Sequence, residues 1–317
     1  MIHALALTGP TASGKTALAI RVAGTIGAEI LCCDSMQIYR RMNIGTAKPT
    51  AGERAAVPHH LTDFLDPGTS YSAAAYREDA MAVAADVCGR GRIPLFVGGT
   101  GLYLDALLYT GETPPASDPA FRERYRAEGE TAEGRERLYE KLRAVDPDAA
   151  ALTHPNNLRR VLRALEIYET TGVTKTVWDA RSRQGAPDLS VALLTLDFHD
   201  RENLYRRADA RVDAMIAAGL PDEVRTLWQE GILDGKNTAS QAIGYKELLR
   251  AVRGEESLNE AIDELKKATR HYAKRQLTWF RAKEGAYRLY LDREDGAMRG
   301  AEDVFSEALG YYGRALC

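Results

Sequence analysis

Apolar residues in this chain fall into short unbroken runs that alternate with stretches of helical spacing. Ile2 to Thr8 is a nearly continuous apolar run that leads straight into a glycine loop, the mark of a strand buried on both faces. Thr16 to Ile26 then carries Leu18, Ile20, Val22 and Ala23 in a helical pattern, and Glu29 to Cys33 is a second short run ending at Asp34. Tyr71 to Cys88 is an alanine-rich helix closed by Gly89 and Gly91. Ile93 to Val97 is a third buried strand, followed by Gly98-Gly99-Thr100-Gly101, and Val191 to Asp197 and Arg288 to Leu291 are later strands. Strands separated by helices, with runs in place of alternation, predict an α/β fold: a mostly parallel sheet flanked by helices on both faces.

The middle of the chain breaks this rhythm. Thr113-Pro114-Pro115-Ala116-Ser117-Asp118-Pro119 is a breaker cluster. Phe121 to Arg143 follows, dense in both charge signs, and Asn157 to Thr170 is amphipathic; no strand pattern interrupts them. The polar stretch Arg181 to Asp188, with Gly185 and Pro187, precedes the return of the β pattern. The reading is an all-helical insert over residues 113–186 within a core made of residues 1–112 and 187–317. Long helices close the core: Arg201 to Ala218, Asp222 to Gln229 and Leu258 to Ala282.

Composition adds exclusions. With 45% hydrophobic and 27% charged residues the chain is an ordinary globular one, and no run approaches the roughly 20 apolar residues of a membrane span. The apolar start lacks a basic segment and reads as a strand, not a signal peptide. Four cysteines without a CxxC pair indicate neither a disulfide framework nor a zinc site, so a reducing cytoplasm is the expected location. The net charge of −3 gives no global sign of a nucleic-acid partner. Lys266 to Lys283 nonetheless holds seven basic residues and no acidic one, which fits either a solvated helix face or an RNA-facing one.

The most specific local signal is Gly9-Pro10-Thr11-Ala12-Ser13-Gly14-Lys15-Thr16, a GxxxxGK[ST] phosphate-binding loop set between a strand and a helix. Gly9 and Gly14 let backbone N–H groups face an anion, Lys15 supplies a point charge, and Thr16 is placed to hold Mg²⁺. A triphosphatase would offer a strand ending in Asp to complete its metal site, but Ile93 to Val97 ends in glycines. The acid at a strand end is Asp34, followed by Ser35-Met36-Gln37, where open α/β sheets bind ligands. A carboxylate there serves to accept a proton from an attacking group or to order a metal.

Eight blocks, GPTASGKT, DSMQIYRRMNIGTAKP, PHHLTD, YSAAAY, VGGTGLY, NLRRVLRALEIYETTG, SQAIGYKE and TRHYAKRQLTWFR, come in the order seen in the tRNA dimethylallyltransferases, and the chain resembles a bacterial member of that family. The likeness spans nearly the whole sequence and weakens through Thr113 to Ala150 and after Leu291. Such enzymes transfer a dimethylallyl group from dimethylallyl diphosphate to the exocyclic N6 amine of the adenosine directly 3′ of the anticodon. The resemblance implies a P-loop NTPase-like core whose loop, Gly9 to Thr16, cradles a leaving diphosphate with Mg²⁺ on Thr16. It implies catalytic roles for Asp34 as general base, for Thr100, which faces the tRNA, and for Arg211 on the diphosphate, with Arg206 and Arg207 as neighbours that confuse the assignment.

The family pattern also implies tRNA contacts. These are Asp34, Ser35, Met36, Gln37 and Thr100; Asn156, Asn157, Leu158, Arg159 and Arg160 in the insert; and Gln241, Ala242, Ile243, Gly244, Tyr245 and Lys246. A last block is Lys274, Arg275, Gln276, Leu277, Thr278, Trp279, Phe280 and Arg281, where aromatics beside cations suit unstacked bases and phosphates, although Leu277 and Phe280 also read as core. The glycines around Thr100 permit either a close approach to the substrate channel or a simple tight turn. A monomer with tRNA and dimethylallyl diphosphate as partners, and no membrane, is expected. The rivals are an adenylate isopentenyltransferase acting on free nucleotides, a P-loop small-molecule kinase, and an NTP-dependent switch with RNA as partner.

Overall fold

The computed structural model describes residues 2–109, 111–112, 114–115, 118–185, 188–235 and 237–316. Thr113, Ala116 and Ser117 of the breaker cluster, and Pro187, lie outside them. The chain forms two compact units: Met1–Leu108 with Leu189–Cys317, and Tyr109–Asp188. The insert thus begins four residues before the breaker cluster and ends two residues after the boundary expected from composition.

In chain order the first unit opens with β1 (Ile2–Thr8), α1 (Lys15–Ile26), β2 (Ala28–Cys32), α2 (Ala51–Ala56), β3 (His59–His60), α3 (Ala73–Gly89), β4 (Ile93–Gly98) and α4 (Gly101–Leu108). The insert is α5 (Pro119–Glu130), α6 (Ala132–Val145), α7 (Pro147–Ala151), α8 (Leu158–Thr171) and α9 (Lys175–Ser182). The first unit resumes with β5 (Leu189–Asp197), α10 (Arg201–Ala217), α11 (Leu220–Gln229), α12 (Tyr245–Val252), α13 (Leu258–Arg281), β6 (Tyr287–Tyr290) and α14 (Ala301–Leu316).

The six strands make one parallel sheet in the order β3-β2-β4-β1-β5-β6. The apolar run of β1 is buried on both faces, as its pattern predicts. Leu5 and Leu7 join a core with Leu18 and Val22 of α1 and Ala308 and Tyr312 of α14; Ala4 and Ala6 face Tyr76, Ala80 and Ala84 of α3 and Leu104 of α4. Since β1 lies between β4 and β5, the chain turns to opposite sides of it, and the phosphate loop leaves the sheet at that switch. α14 was not foreseen in the sequence; it docks through Tyr312, whose hydroxyl donates to the Ala6 carbonyl at 2.7 Å.

A third core joins the C-terminal helices to the segment after β2. Ile38, Tyr39 and Met42 pack with Val212, Leu220, Val224, Tyr245, Leu248 and Leu265. The insert has its own core of Phe121, Leu138, Leu142, Val161, Leu162 and Leu165. No helix among the described residues is long and apolar enough to cross a membrane.

Candidate active site

The phosphate loop takes its shape from three left-handed or open backbone positions: Gly9 at φ 146°, Ala12 at φ 64° and Gly14 at φ 84°. A Cβ on Gly9 would meet the Cβ of Leu196 in β5 at 2.9 Å, so glycine here answers a close approach as well as a dihedral. Gly14 caps α1 without a side-chain hydrogen bond, which leaves the first-turn N–H groups of α1 for an anion. Ser13 Oγ is buried with no hydrogen-bond partner among the described residues. Lys15 folds back over the loop, and its Nζ donates to the Pro10 carbonyl at 3.1 Å.

Two cations and one carboxylate converge in front of this loop. Burial, then the positive charge of Arg211 on α10, hold the Lys15 ammonium down to about 8, with Asp34 acting in the opposite sense. Arg211 is disfavoured by its own burial and favoured by Asp34. Like charges held this close are costly without an anion between them. Lys15, Thr16 and Asp34 line one open cleft, with Cys32, Gln37, His59, Thr62 and Gly98, over an apolar wall of Ala19, Ile30, Pro49 and Val97.

Asp34 stands at the end of β2 in a local turn. Its Oδ1 accepts from the N–H groups of Met36 at 2.9 Å and Gln37 at 3.4 Å, which leaves Oδ2 without a hydrogen-bond partner among the described residues. Thr100 Oγ1 accepts from Ser35 N–H at 2.9 Å and donates to Ser35 Oγ at 3.3 Å, so Thr100 shapes the turn beside Asp34. The thiols of Cys32 and Cys33 are pushed up by burial, Cys33 to about 12, and pack as neutral core. His59 donates from Nδ1 to the Val57 carbonyl at 2.7 Å, and burial lowers its pKa; its Nε2 is buried without a hydrogen-bond partner among the described residues.

The three neighbouring arginines separate cleanly. Arg206 donates to Asn203 Oδ1 at 2.5 Å. Arg207 donates through Nε to the Ala12 carbonyl at 2.8 Å and straps the phosphate loop. Arg211 is the one whose charge is felt by both Lys15 and Asp34.

Several residues grouped with the RNA-facing blocks turn out to be packed inside; for Leu277 and Phe280 this is the core alternative the sequence offered, and for the others it is a correction. Ala242, Tyr245, Leu277 and Phe280 are core, and Gln276 is 6% exposed. Tyr245 is wholly buried, and its hydroxyl donates to Glu223 Oε1 at 2.5 Å. Glu223 in turn accepts from the backbone N–H groups of Asn43, Ile44 and Gly45. Arg281 makes a two-pronged pair with the fully buried Asp197. Leu158 packs in the insert, 2.3 Å from where a Cβ on Gly129 would stand. The exposed members are Gln241, Lys246, Lys274, Arg275 and Thr278, with Asn156, Asn157, Arg159 and Arg160 in the insert; Ile243, Gly244 and Trp279 are partly or wholly covered.

The basic stretch is also less free than its composition indicates. Lys266 pairs with Asp213, Lys267 with Glu264, Arg270 with Asp209, Arg281 with Asp197 and Lys283 with Asp105. Lys274 and Arg275 have no carboxylate partner among the described residues. The glycines flanking Thr100 resolve in favour of close approach, but to protein: Cβ atoms on Gly98, Gly99 and Gly101 would meet Cys33 O at 2.0 Å, Gln276 Nε2 at 2.3 Å and the Trp279 ring at 2.5 Å. Sequence reasoning missed Tyr272, whose phenol pKa is raised by burial and then by the charge of Asp34. Its spacing with Gln276 and Trp279, one helix face, was the available signal.

A glycine loop at the switch point of a parallel sheet, with Lys15 and the strand-end carboxylate Asp34 on one cleft, defines a P-loop α/β protein. Comparison with known proteins narrows this. The model of the family described as IPP transferase matches residues 37–283, and that of isopentenyl transferase matches residues 2–58. A tRNA dimethylallyltransferase of Bacillus pumilus is 48% identical over 88% of this chain and 86% of its own. That of Bacillus subtilis is 48% identical over 87% of each chain. Among solved structures, the tRNA isopentenylpyrophosphate transferase of Bacillus halodurans superposes with a TM-score of 0.72 at 38% identity, covering 100% of this chain and 97% of that one. A eukaryotic dimethylallyltransferase acting on tRNA gives a TM-score of 0.74 at 30% identity, covering 92% of this chain and 74% of that one. The chain belongs to the IPP transferase family.

Proposed function

We propose that this enzyme transfers the dimethylallyl group of dimethylallyl diphosphate to the N6 amine of the adenosine 3′ of the anticodon in tRNA, releasing diphosphate. The observation that carries the reading is the convergence of Lys15, Arg211 and Asp34 on one side of the phosphate loop, in a chain whose relatives are named for this reaction. The loop N–H groups, Lys15 and Arg211 take the diphosphate. As the carbon–oxygen bond breaks, its electron pair leaves with the diphosphate, where these donors stabilise the added charge. The adenine nitrogen forms the new bond to carbon and becomes acidic, and Asp34 Oδ2 accepts its proton. Cys32 and Cys33, neutral and buried, take no part.

A divalent ion fits the donor set. Thr16 and Asp34 line the same cavity, and the described residues offer no cluster of three His, Cys, Asp or Glu side chains. Thr16 would hold the Mg²⁺, which when bound would supply charge neutralisation of the leaving diphosphate. The target adenine must leave its stack to reach Asp34, as for other base-modifying enzymes. Lys274 and Arg275 are the cations left for RNA phosphates on α13, and Arg159 and Arg160 those at the start of α8.

The test is incubation with labelled dimethylallyl diphosphate and Mg²⁺, with total tRNA, an anticodon stem-loop or AMP as acceptor. Digestion to nucleosides should find the label on N6 of adenosine, and partial nuclease fragments of the stem-loop should place it next to the anticodon. Efficient labelling of AMP alone would move the chain to the free-nucleotide enzymes, and phosphoryl transfer from ATP would make it a kinase.

A further inference from the structure

A single buried amide ties the diphosphate cradle to the acceptor side of the cavity. Gln276 lies on the inner face of α13. Its Oε1 accepts from Thr11 N–H at 2.8 Å, and its Nε2 donates to the Gly99 carbonyl at 2.8 Å. The two bonds fix the amide, since a flip would set donor against donor and acceptor against acceptor. The next residue, Thr100, accepts from Ser35 N–H beside Asp34. A path of main-chain and side-chain contacts therefore runs from the phosphate loop through Gln276 and Gly99-Thr100 to the turn that presents Asp34. Gly99 makes it feasible, because any side chain there would occupy the position of the Gln276 amide.

We infer that Gln276 is a positioning residue that sets the separation between the diphosphate cradle and the Asp34 turn, and that it does not touch RNA; this rests on the prenyl-transfer reading above. Without the amide, Thr11 N–H and Gly99 C=O lose their partner, and such buried groups move until they find another. The loop's other ties fall on its neighbours: Pro10 O accepts from Ser13 N–H at 3.4 Å and from Lys15 Nζ at 3.1 Å, and Arg207 straps Ala12, so Gln276 is what holds Thr11 N–H. Transfer between two fixed centres is sensitive to such motion. α13 thus presents Lys274, Arg275 and Thr278 outward while Gln276 faces the opposite way.

Gln276→Met keeps length and volume but removes both bonds. It should lower kcat for stem-loop prenylation about 10- to 100-fold, the range expected for a misplacement of roughly 1 Å, and leave KM for the RNA within about twofold. It should also weaken binding of inorganic diphosphate, read by calorimetry. Gln276→Glu supplies the conservative probe. Its carboxylate still accepts from Thr11 but cannot donate to Gly99 until protonated, and burial raises the pH at which that happens. The ratio of its kcat to that of the unmodified enzyme should therefore rise as pH falls from about 8 to about 6. A loss confined to KM for RNA would make Gln276 an RNA contact and overturn the inference, as would unchanged kcat and diphosphate binding in Gln276→Met. If Gln276→Met does not fold, a flat Gln276→Glu ratio across pH overturns it and a rising one supports it. If the unmodified enzyme transfers nothing to RNA, the function reading fails by itself, and the diphosphate titrations still decide whether Gln276 supports the cradle.

Discussion

The phosphate loop, Gly9 to Thr16, and the block Lys274 to Arg281 are both motifs of eight residues, yet they submit to sequence reading very differently. In the loop the work is done by the backbone. Gly9, Ala12 and Gly14 set dihedrals, and the N–H groups and Lys15 follow from them. The meaning of each position is local, so the pattern carries it. In the helical block the backbone is uniform and each side chain acquires its role from whatever faces it. Leu277 and Phe280 enter the core, Gln276 braces the cradle, Arg281 neutralises Asp197, and of the eight only Lys274, Arg275 and Thr278 are exposed. A motif built on a helix mixes functions at the period of the helix.

The largest test of this contrast is on the turn after β2. Asp34→Asn keeps an oxygen to accept from Met36 N–H but loses the base, and single-turnover prenylation should fall about 10²- to 10⁴-fold with tRNA binding retained. An unchanged rate would take Asp34 out of the proton transfer. Next, Phe280→Ala should cost about 3–5 kcal/mol of stability by denaturant unfolding, the usual penalty for emptying an aromatic core site. A stable Phe280→Ala with weakened RNA binding would instead return Phe280 to the interface.

A smaller effect is expected from pH. The free Lys15 amine titrates near 8, held there by burial and Arg211, and a bound diphosphate raises it. Binding therefore takes up a proton above that pH, and affinity for a non-reacting diphosphate ester should fall by up to about tenfold per pH unit from there. Lys15→Arg should flatten the curve; a flat profile in the unmodified enzyme would place the ammonium elsewhere. The smallest effect belongs to Lys274→Ala, which should weaken tRNA binding modestly and cut the salt slope by about 0.7–1, the share of one phosphate contact. The same substitution at Lys266, already paired with Asp213, should leave the slope unchanged.

Most of the fold could be read because it rests on runs and periods. β1, β4, β5, α1 and α13 stand where apolar spacing put them, within one or two residues. α14 escaped although Val304, Ala308 and Tyr312 stand at regular helical spacing, because Gly310 and Gly313 punctuate the stretch. β3, two residues long, has too little sequence to show a period. At the site, Asp34 and Lys15 were legible as strand-end and loop residues. The roles of Gln276 and Arg207 were not, because each depends on a contact more than sixty residues away in the chain.

Glu223 has a consequence for anyone exchanging parts between relatives. The segment from Asp34 to Pro49 looks like a transplantable cassette, but its bend is gripped from outside by a carboxylate on α11 and a phenol on α12. Gly45 must also stay bare, since a Cβ there would stand 2.4 Å from the Tyr245 ring. A graft of this segment therefore carries its shape only into a host with an acid at 223 and tyrosine at 245. The cassette is in effect three pieces of sequence, inherited together or not at all.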